Sequence, residues 1–259
     1  MKQLKILLVN ERGCFDKGII TLAKVLSLGH RVTVVAPLRK QERVAGSITA
    51  SNPLRTDRYR ALNRAAIFSV DGTPCDCIEL ALDGKLLSGR PDVIISGIDP
   101  HHNRGETMLS SGVAGAAIRG TINGVKSISI SADITNRFDE KEYIPVAKFI
   151  SSNLKNLMEK IQPETTLNIN FPRGFSARRI KWTHLTLGMV DCTYTQETSP
   201  LGRTFYWMNN PSQNYPLHVL EQEGDIYWLK KGYITITPLK YNLTEFASLD
   251  LLKKSGITI

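Results

Sequence analysis

Cysteine is scarce in this chain of 259 residues, which has only Cys14, Cys75, Cys77 and Cys192. Four scattered cysteines are too few for a disulfide framework or a zinc ribbon. Cys75 and Cys77 are separated by one residue, a spacing that fits neither a thioredoxin-type pair nor a zinc knuckle. We therefore expect both side chains to pack inside the protein. Reduced thiols indicate a cytoplasmic protein.

Long hydrophobic runs are also missing. No stretch approaches the roughly 20 apolar residues that span a bilayer. The apolar run within MKQLKILLVN is too short for a signal peptide, and no small-residue cleavage site follows it. Aromatic residues make up only 7% of the chain, which gives no sign of a stacking platform. We therefore expect no membrane association.

Acidic residues are outnumbered, with 24 Asp and Glu against 33 Lys and Arg, for a net charge of +9. This excess suits anionic or phosphorylated ligands. The basic residues are spread along the chain, with short clusters only at 39–43 and 55–64. A solvated basic surface explains them, and the pattern argues against nucleic-acid binding.

The periodicity that is present predicts an α/β fold. Leu4–Val9 has the length of a strand, Lys17–Leu28 has helical spacing, and Arg31–Ala36 is β-branched. Together they form a βαβ unit, which requires a parallel sheet. The pattern continues with strands at Ala66–Val70, Pro91–Gly97, Ser127–Ser131 and Thr166–Asn170, and with helices at Cys75–Leu87, Leu109–Ile118 and Tyr143–Ile161. We predict a Rossmann-like core with a mostly parallel sheet over residues 1–175.

The character of the chain changes after about residue 175, where Thr, Tyr and Trp become frequent. We predict a β-rich extension over residues 176–259 that carries antiparallel strands or hairpin arms. These are placed at Ile180–Thr186, Thr204–Met208, Ile226–Leu229 and Tyr233–Thr237, with polar turns at Asn209–Pro216 and Glu221–Asp225 and a closing helix at Asn242–Ser255. Trp182, Trp207 and Trp228 are expected in the core or at an interface.

Ligands of an open parallel sheet bind outside the carboxyl ends of its strands. The polar segments in that position are Asn10–Gly13, Pro37–Ser47 and Gly97–Glu106. The third runs into Ser110, Ser111 and Gly112 at the start of a helix. A helix N-terminus can bind phosphate, while the alternative is that a serine only caps the helix.

The order of several short motifs resembles the SurE family, the stationary-phase survival proteins. The matching blocks are Ile6–Gly13, Val34–Pro37, Gly72–Cys77, Ser96–Asp99 with Asn103, Gly105, Ser111 and Gly112, Leu167–Pro172, Gly202–Trp207 and Gly232–Leu239. The resemblance covers nearly the whole chain. It implies a phosphatase that hydrolyses nucleoside monophosphates or similar phosphomonoesters with Mg²⁺ or Mn²⁺.

The resemblance also implies which positions would hold the metal, and all of them are substituted here. The family has two Asp, a Ser and an Asn where this chain has Glu11, Arg12, Glu42 and Asp99. Carboxylates can bind a hard cation, but a guanidinium has no lone pair to donate. Among the phosphate-binding positions the family's Thr is replaced by Val113.

The phosphate-binding positions that remain are Asn103, Ser111 and Gly112. Glu11, Arg12, Asn103 and Ser111 are accordingly the candidate catalytic residues. His101 and His102 lie in the same loop. We expect them to be surface residues rather than metal ligands.

Two arrangements of Arg12 stay open. In the first its guanidinium replaces the metal among Glu11, Glu42 and Asp99, which would abolish activation of water by a Lewis acid. In the second Arg12 turns outward to a substrate phosphate while the carboxylates hold a shifted metal. The residues favour the first.

Two functions follow from these alternatives. One is a phosphatase of the nucleotidase type, and the other is a catalytically silent relative that binds a phosphorylated ligand or a protein partner. The resemblance further implies a homodimer or homotetramer in which subunits exchange the C-terminal extension.

Overall fold

The computed structural model describes residues 3–62, 64–83, 86–186, 193–209 and 222–255. Its strands are β1 (Lys5–Val9), β2 (Arg31–Pro37), β3 (Thr56–Leu62), β4 (Ala65–Val70), β5 (Val93–Asp99), β6 (Ser127–Ala132), β7 (Thr165–Phe171), β8 (Ile180–Trp182), β9 (Tyr194–Thr198), β10 (Thr204–Met208) and β11 (Ile234–Lys240). Its α-helices are α1 (Lys17–Leu26), α2 (Pro74–Leu82), α3 (Gly112–Ile122), α4 (Glu140–Lys160), α5 (Asp225–Lys230) and α6 (Phe246–Lys254), and a 3₁₀-helix spans Gly105–Ser110.

Nine of the strands form one sheet in the order β3-β4-β2-β1-β5-β6-β7-β11-β8. The six adjacent strands β4-β2-β1-β5-β6-β7 are parallel to one another. β3 and β11 pair antiparallel with β4 and β7. The predicted α/β class with a mostly parallel sheet is confirmed.

β1 shows why the sheet is covered on both faces. Ile6 and Leu8 point into the larger apolar cluster, whereas Leu7 and Val9 point into a second cluster on the other face. This alternation follows from the two-residue period of a strand. Helices α1 and α4 pack together on the first face, and α2 and α3 pack together on the second.

The helices begin at residues that satisfy their free N–H groups. Asp16 Oδ1 accepts from Gly18 N at 2.9 Å and caps α1. Thr73 caps α2 through Asp76 N at 3.1 Å, and the Asp76 carboxylate accepts in return from Thr73 N at 2.8 Å. Such reciprocal caps fix where the loops end.

The C-terminal extension differs from the prediction in two respects. Residues 226–229 are helical, as part of α5, instead of forming a strand. β8 pairs parallel with β11, not antiparallel, because β11 enters the main sheet between β7 and β8. Strands on both sides of residue 175 thus share one sheet, and the division into 1–175 and 176–259 stays a prediction.

The strand predicted at Thr204–Met208 is present as β10, and it forms an antiparallel hairpin with β9, which was not predicted. Every residue of both strands is exposed. Trp182 and Trp207 are exposed to 52% and 62% in this single chain, so neither lies in the core. The exchange of this extension between subunits stays a prediction. Cys192 and most of the predicted turn at Asn209–Pro216 lie outside the described residues.

Several helix boundaries were also wrong. The predicted helix at Leu109–Ile118 is a 3₁₀-helix followed by α3, which begins at Gly112 because Ser111 caps it. α2 ends at Leu82, earlier than predicted, and β3 was not predicted. Within the described ranges, no helix has both the length and the apolar character needed to cross a membrane.

We predict that Ile236→Ala lowers the free energy of unfolding by about 2–5 kcal/mol, because it leaves a cavity in the core. Ile236 is 2% exposed and lies on β11 beside Ile169 of β7. Leu251→Ala, at a position 69% exposed, is the matched control. Urea denaturation measures both variants, and equal stabilities would contradict the placement of β11 inside the sheet.

Candidate functional site

A cavity of about 630 Å³ opens at the carboxyl edge of the sheet. It lies where β1 and β5 are neighbours, although the chain runs from β1 to β2 on the other side. Such a switch point leaves a crevice between diverging loops. The lining residues are Glu11, Glu42, Arg43, Asp99, Pro100, His101, His102, Asn103, Arg104, Thr107, Ser110, Ser111, Asp133, Ile134, Pro172, Leu229 and Lys230.

A tight turn after β1 sets the positions of Glu11 and Arg12. The Asn10 side chain accepts from Gly13 N at 3.0 Å and donates to Gly13 O at 3.0 Å. Gly13 has a φ of 106°, a conformation that favours glycine. The turn sends Glu11 toward α3 and Arg12 toward the loop after β2.

Arg12 is buried and paired with carboxylates of the protein itself. Its side chain is 5% exposed. The guanidinium forms a close ion pair with Glu42, and its Nε lies 3.5 Å from Asp16 Oδ2. Lys40 Nζ lies 2.6 Å from the second oxygen of Glu42. Arg12 is thus turned inward, as in the first arrangement, but its ion-pair partners are Glu42 and Asp16, whereas that arrangement placed it among Glu11, Glu42 and Asp99.

Glu11 and Asp99 face each other in the adjoining part of the site. Burial, and secondly the charge and hydrogen bond of Asp99, raise the pKa of Glu11 to about 8. Glu11 Oε2 also accepts from Gly112 N at 2.8 Å. A side chain at Gly112 would bring its Cβ to 2.7 Å from that oxygen. The space left by the missing side chain of Gly112 is therefore filled by the Glu11 carboxylate of this protein.

Asn103 is held by four side chains of the sheet. Its Nδ2 donates to Asp99 Oδ2 at 3.0 Å and to Ser131 Oγ at 2.7 Å. Its backbone N donates to Asn170 Oδ1, and its carbonyl accepts from Asn168 and Asn170. Both amide hydrogens are therefore engaged, so a phosphate could gain them only in exchange for Asp99 and Ser131.

Ser111 caps α3, which was the alternative to a phosphate-binding role at this helix N-terminus. Its Oγ accepts from Ala114 N at 3.1 Å, and the residue is 3% exposed. The cap uses a lone pair and leaves the hydroxyl hydrogen for another acceptor. The structure thus brings Asn103, Ser111 and Gly112 together, with each already bonded inside the protein.

The two histidines behave differently. The His101 side chain is 73% exposed, with Nδ1 3.7 Å from Asp99 Oδ1. His102 is half-buried, not fully at the surface as expected, because its ring turns inward and its Nε2 lies 2.8 Å from Phe171 O. Burial, and secondly the nearby Arg104, lower the pKa of His102 to about 4. A neutral imidazole then donates from Nε2 to the carbonyl.

Three basic residues of the cavity were not singled out from the sequence. Arg43 follows β2, Arg104 follows β5, and Lys230 ends α5. Burial, and secondly the positive charge of Arg104, lower the pKa of Lys230. The buried Asp225 tethers this region, since it accepts from Gly105 N at 2.8 Å. Arg43 lies in a basic cluster visible in the sequence, whereas Lys230 was hidden by the wrong prediction for α5.

Comparison with known proteins agrees with this fold. The family model described as "Survival protein SurE" matches residues 6–191. The chain belongs to the SurE family. A 5'-nucleotidase SurE of Thermoanaerobacter sp. (strain X514) is 32% identical over 260 residues, which cover 99% of this chain and 100% of that protein. A 5'-nucleotidase SurE of Pseudothermotoga lettingae is 35% identical over 254 residues, 96% of this chain and 93% of its own length.

A solved SurE structure has the same architecture. The SurE protein from Aquifex aeolicus superposes with a TM-score of 0.77 at 30% identity, covering 98% of this chain and 100% of that one. The likeness therefore extends through the C-terminal extension.

SurE 5'-nucleotidases depend on a divalent metal, and the residues present here do not fit one in this arrangement. Glu42 is neutralised by Arg12, and Glu11 shares a hydrogen bond with Asp99. Among the described residues no group of three or more His, Cys, Asp or Glu side chains could hold a metal ion. A guanidinium occupies one of the four ligand positions and brings a positive charge where the family binds a cation.

We predict that Glu11→Gln flattens the pH dependence of stability between about pH 5 and 8. The raised pKa means that the folded state holds the proton of Glu11 above the pH at which the unfolded chain releases it. Wild-type stability from this group is therefore complete at low pH and is lost as the pH rises toward 8. The glutamine side chain keeps an oxygen that accepts from Gly112 N, and it does not titrate in this pH range.

Thermal unfolding at a series of pH values measures the effect. Glu159→Gln, at an exposed position of α4, is the control and should retain the wild-type slope. An unchanged slope in Glu11→Gln would show that the Glu11 carboxyl is ionised in the folded protein.

Proposed function

We propose that this SurE-family protein binds nucleoside monophosphates or similar phosphomonoesters in the cavity at the carboxyl edge of the sheet. The observation that carries the proposal is the convergence of Arg43, Arg104 and Lys230 on a cavity of about 630 Å³. Cavities of about 300–1,000 Å³ take ligands of nucleotide size. The full-length similarity to 5'-nucleotidases supports the same class of ligand.

The electrostatics of the cavity support a phosphate. Burial, and to a smaller extent repulsion from Arg104, lower the pKa of Lys230. A dianion between them would relieve this repulsion and form charge-assisted hydrogen bonds. Ser111 adds a hydroxyl hydrogen at the same wall. Asn103 and Gly112 serve chiefly to hold Asp99 and Glu11.

Hydrolysis of the phosphomonoester is the first candidate activity, and the 5'-nucleotidase relatives support it. Binding without metal-assisted hydrolysis is the second, and the Arg12–Glu42 pair favours it. A metal-free site forgoes the activation of water and the charge stabilisation that a divalent ion supplies. We favour the second candidate because the residues do not fit the metal.

We expect AMP to bind the wild-type protein and Arg43→Gln/Lys230→Gln to bind it at least tenfold more weakly, since a charge-assisted hydrogen bond contributes about 1.5–3 kcal/mol. Isothermal titration calorimetry measures the affinities. Lys148→Gln/Arg203→Gln removes the same charges from exposed positions and should bind as the wild type does. Equal affinities in the two double variants would contradict the proposed site.

Phosphate release from AMP with Mn²⁺ separates the two candidates. Turnover near background, with binding retained, is the result we expect. Chelator-sensitive turnover by the wild-type protein would establish hydrolysis and overturn the silent candidate.

A further inference from the structure

A second cavity, of about 460 Å³, lies at the opposite edge of the sheet, where the parallel strands begin. Lys5 opens β1 and Arg31 opens β2, while Arg58 reaches it from β3. The loop that precedes β5 forms the other wall through Ser88 and its neighbours. Lys5 begins β1 in this cavity, and Glu11 follows the end of β1 in the first, so the two residues lie at opposite ends of a strand about 13 Å long. The two cavities are therefore separate sites.

Four cations line this cavity: Lys5, Arg31, Arg58 and Arg64. No Asp or Glu is among its described lining residues, and none of the four cations forms an ion pair within the described chain. Two members of the basic cluster at 55–64, Arg58 and Arg64, thus face a concave surface whose described lining contains no carboxylate.

Lys5 and Arg31 converge on a single neutral residue. Lys5 Nζ donates to Ser88 O at 3.4 Å, and Arg31 Nη2 donates to Ser88 Oγ at 2.9 Å. A side chain on Gly89 would bring its Cβ to 3.0 Å from Lys5 Nζ. The nearby Asp92 carboxylate accepts from the backbone N of Lys5 at 2.7 Å and lies outside the lining. Two like charges so close to each other favour an anion between them.

The remaining wall is apolar. Phe68 presents a ring whose centroid lies 5.7 Å from the Arg58 guanidinium carbon. Leu86 and Leu87 extend this surface. A ring can stack on such a wall while its anionic part meets the cations.

We propose that this cavity binds a phosphorylated small molecule with a ring and at least two linked phosphates, a nucleoside diphosphate being the simplest example. Four cations exceed the two negative charges of a phosphate monoester and come closer to the three of a nucleoside diphosphate. Guanidinium groups bind phosphate oxygens in pairs, which suits Arg31 and Arg58. The proposal does not depend on the function proposed for the first cavity.

Calorimetry with ADP, AMP, pyrophosphate and adenosine as probes tests the proposal, with the wild type compared with Arg31→Gln/Arg58→Gln. Both residues are exposed, so the variant should fold. We expect ADP to bind the wild type more tightly than AMP, pyrophosphate to bind detectably, and adenosine not to bind. The variant should lose at least tenfold in ADP affinity. Arg178→Gln/Arg203→Gln removes two exposed arginines elsewhere and should match the wild type.

Hydrogen–deuterium exchange locates the bound ADP. Protection at residues 28–33 and 86–91 is expected at this cavity. Protection only at the loops around Arg43 and Asn103, or an ADP affinity unchanged in Arg31→Gln/Arg58→Gln, would overturn the proposal. In the first of these cases the first cavity would still stand as a phosphate site, so the two proposals fail separately.

Discussion

A buried guanidinium is stable only where carboxylates surround it, because an unpaired charge in a protein interior costs several kcal/mol. Arg12 is held by Glu42 and Asp16, and the rest of the site is arranged around this pairing. Glu42 is no longer available to a metal. Glu11 and Asp99 are left facing each other, and one proton between them takes the place of a cation.

The same constraint explains why the phosphate-binding positions taken from the family have partners inside this protein. Glu11 occupies the space that Gly112 leaves open and accepts its N–H. Asp99 takes one amide hydrogen of Asn103. The cations that face the cavity come instead from its rim, at Arg43, Arg104 and Lys230. We propose that the substitutions at the four ligand positions are one correlated change, in which the Arg12 guanidinium takes the place of the ion.

The sequence predicted most of the core because hydrophobic periodicity is a local signal. The βαβ unit, the buried parallel strands and the polar loops that follow them could all be recognised. The ligand positions were identified through motif order, and the structure places Glu11, Glu42, Asp99, Asn103 and Ser111 in one cavity.

The features that were missed depend on contacts distant in sequence. Residues 226–229 are a short apolar and aromatic run typical of a strand, but Asp225 anchors them as a helix through Gly105 and Thr186. The insertion of β11 into the main sheet between β7 and β8 is likewise determined by tertiary contacts. Lys230 could not be assigned to the site without α5. His102 turns inward because Phe171 O offers it a partner, which no local pattern reveals.

The most direct test of this account is a calorimetric Mn²⁺ titration of the wild type, of Arg12→Ala and of a variant with the family's ligands, Glu11→Asp/Arg12→Asp/Glu42→Ser/Asp99→Asn. The last variant offers two carboxylates, a hydroxyl and an amide, which suit a hard divalent ion. We expect it alone to bind Mn²⁺ and to gain thermal stability with the ion, since binding to the folded state stabilises it. Micromolar Mn²⁺ binding by the wild type that Arg12→Ala leaves unchanged would contradict the claim that Arg12 stands in for the metal.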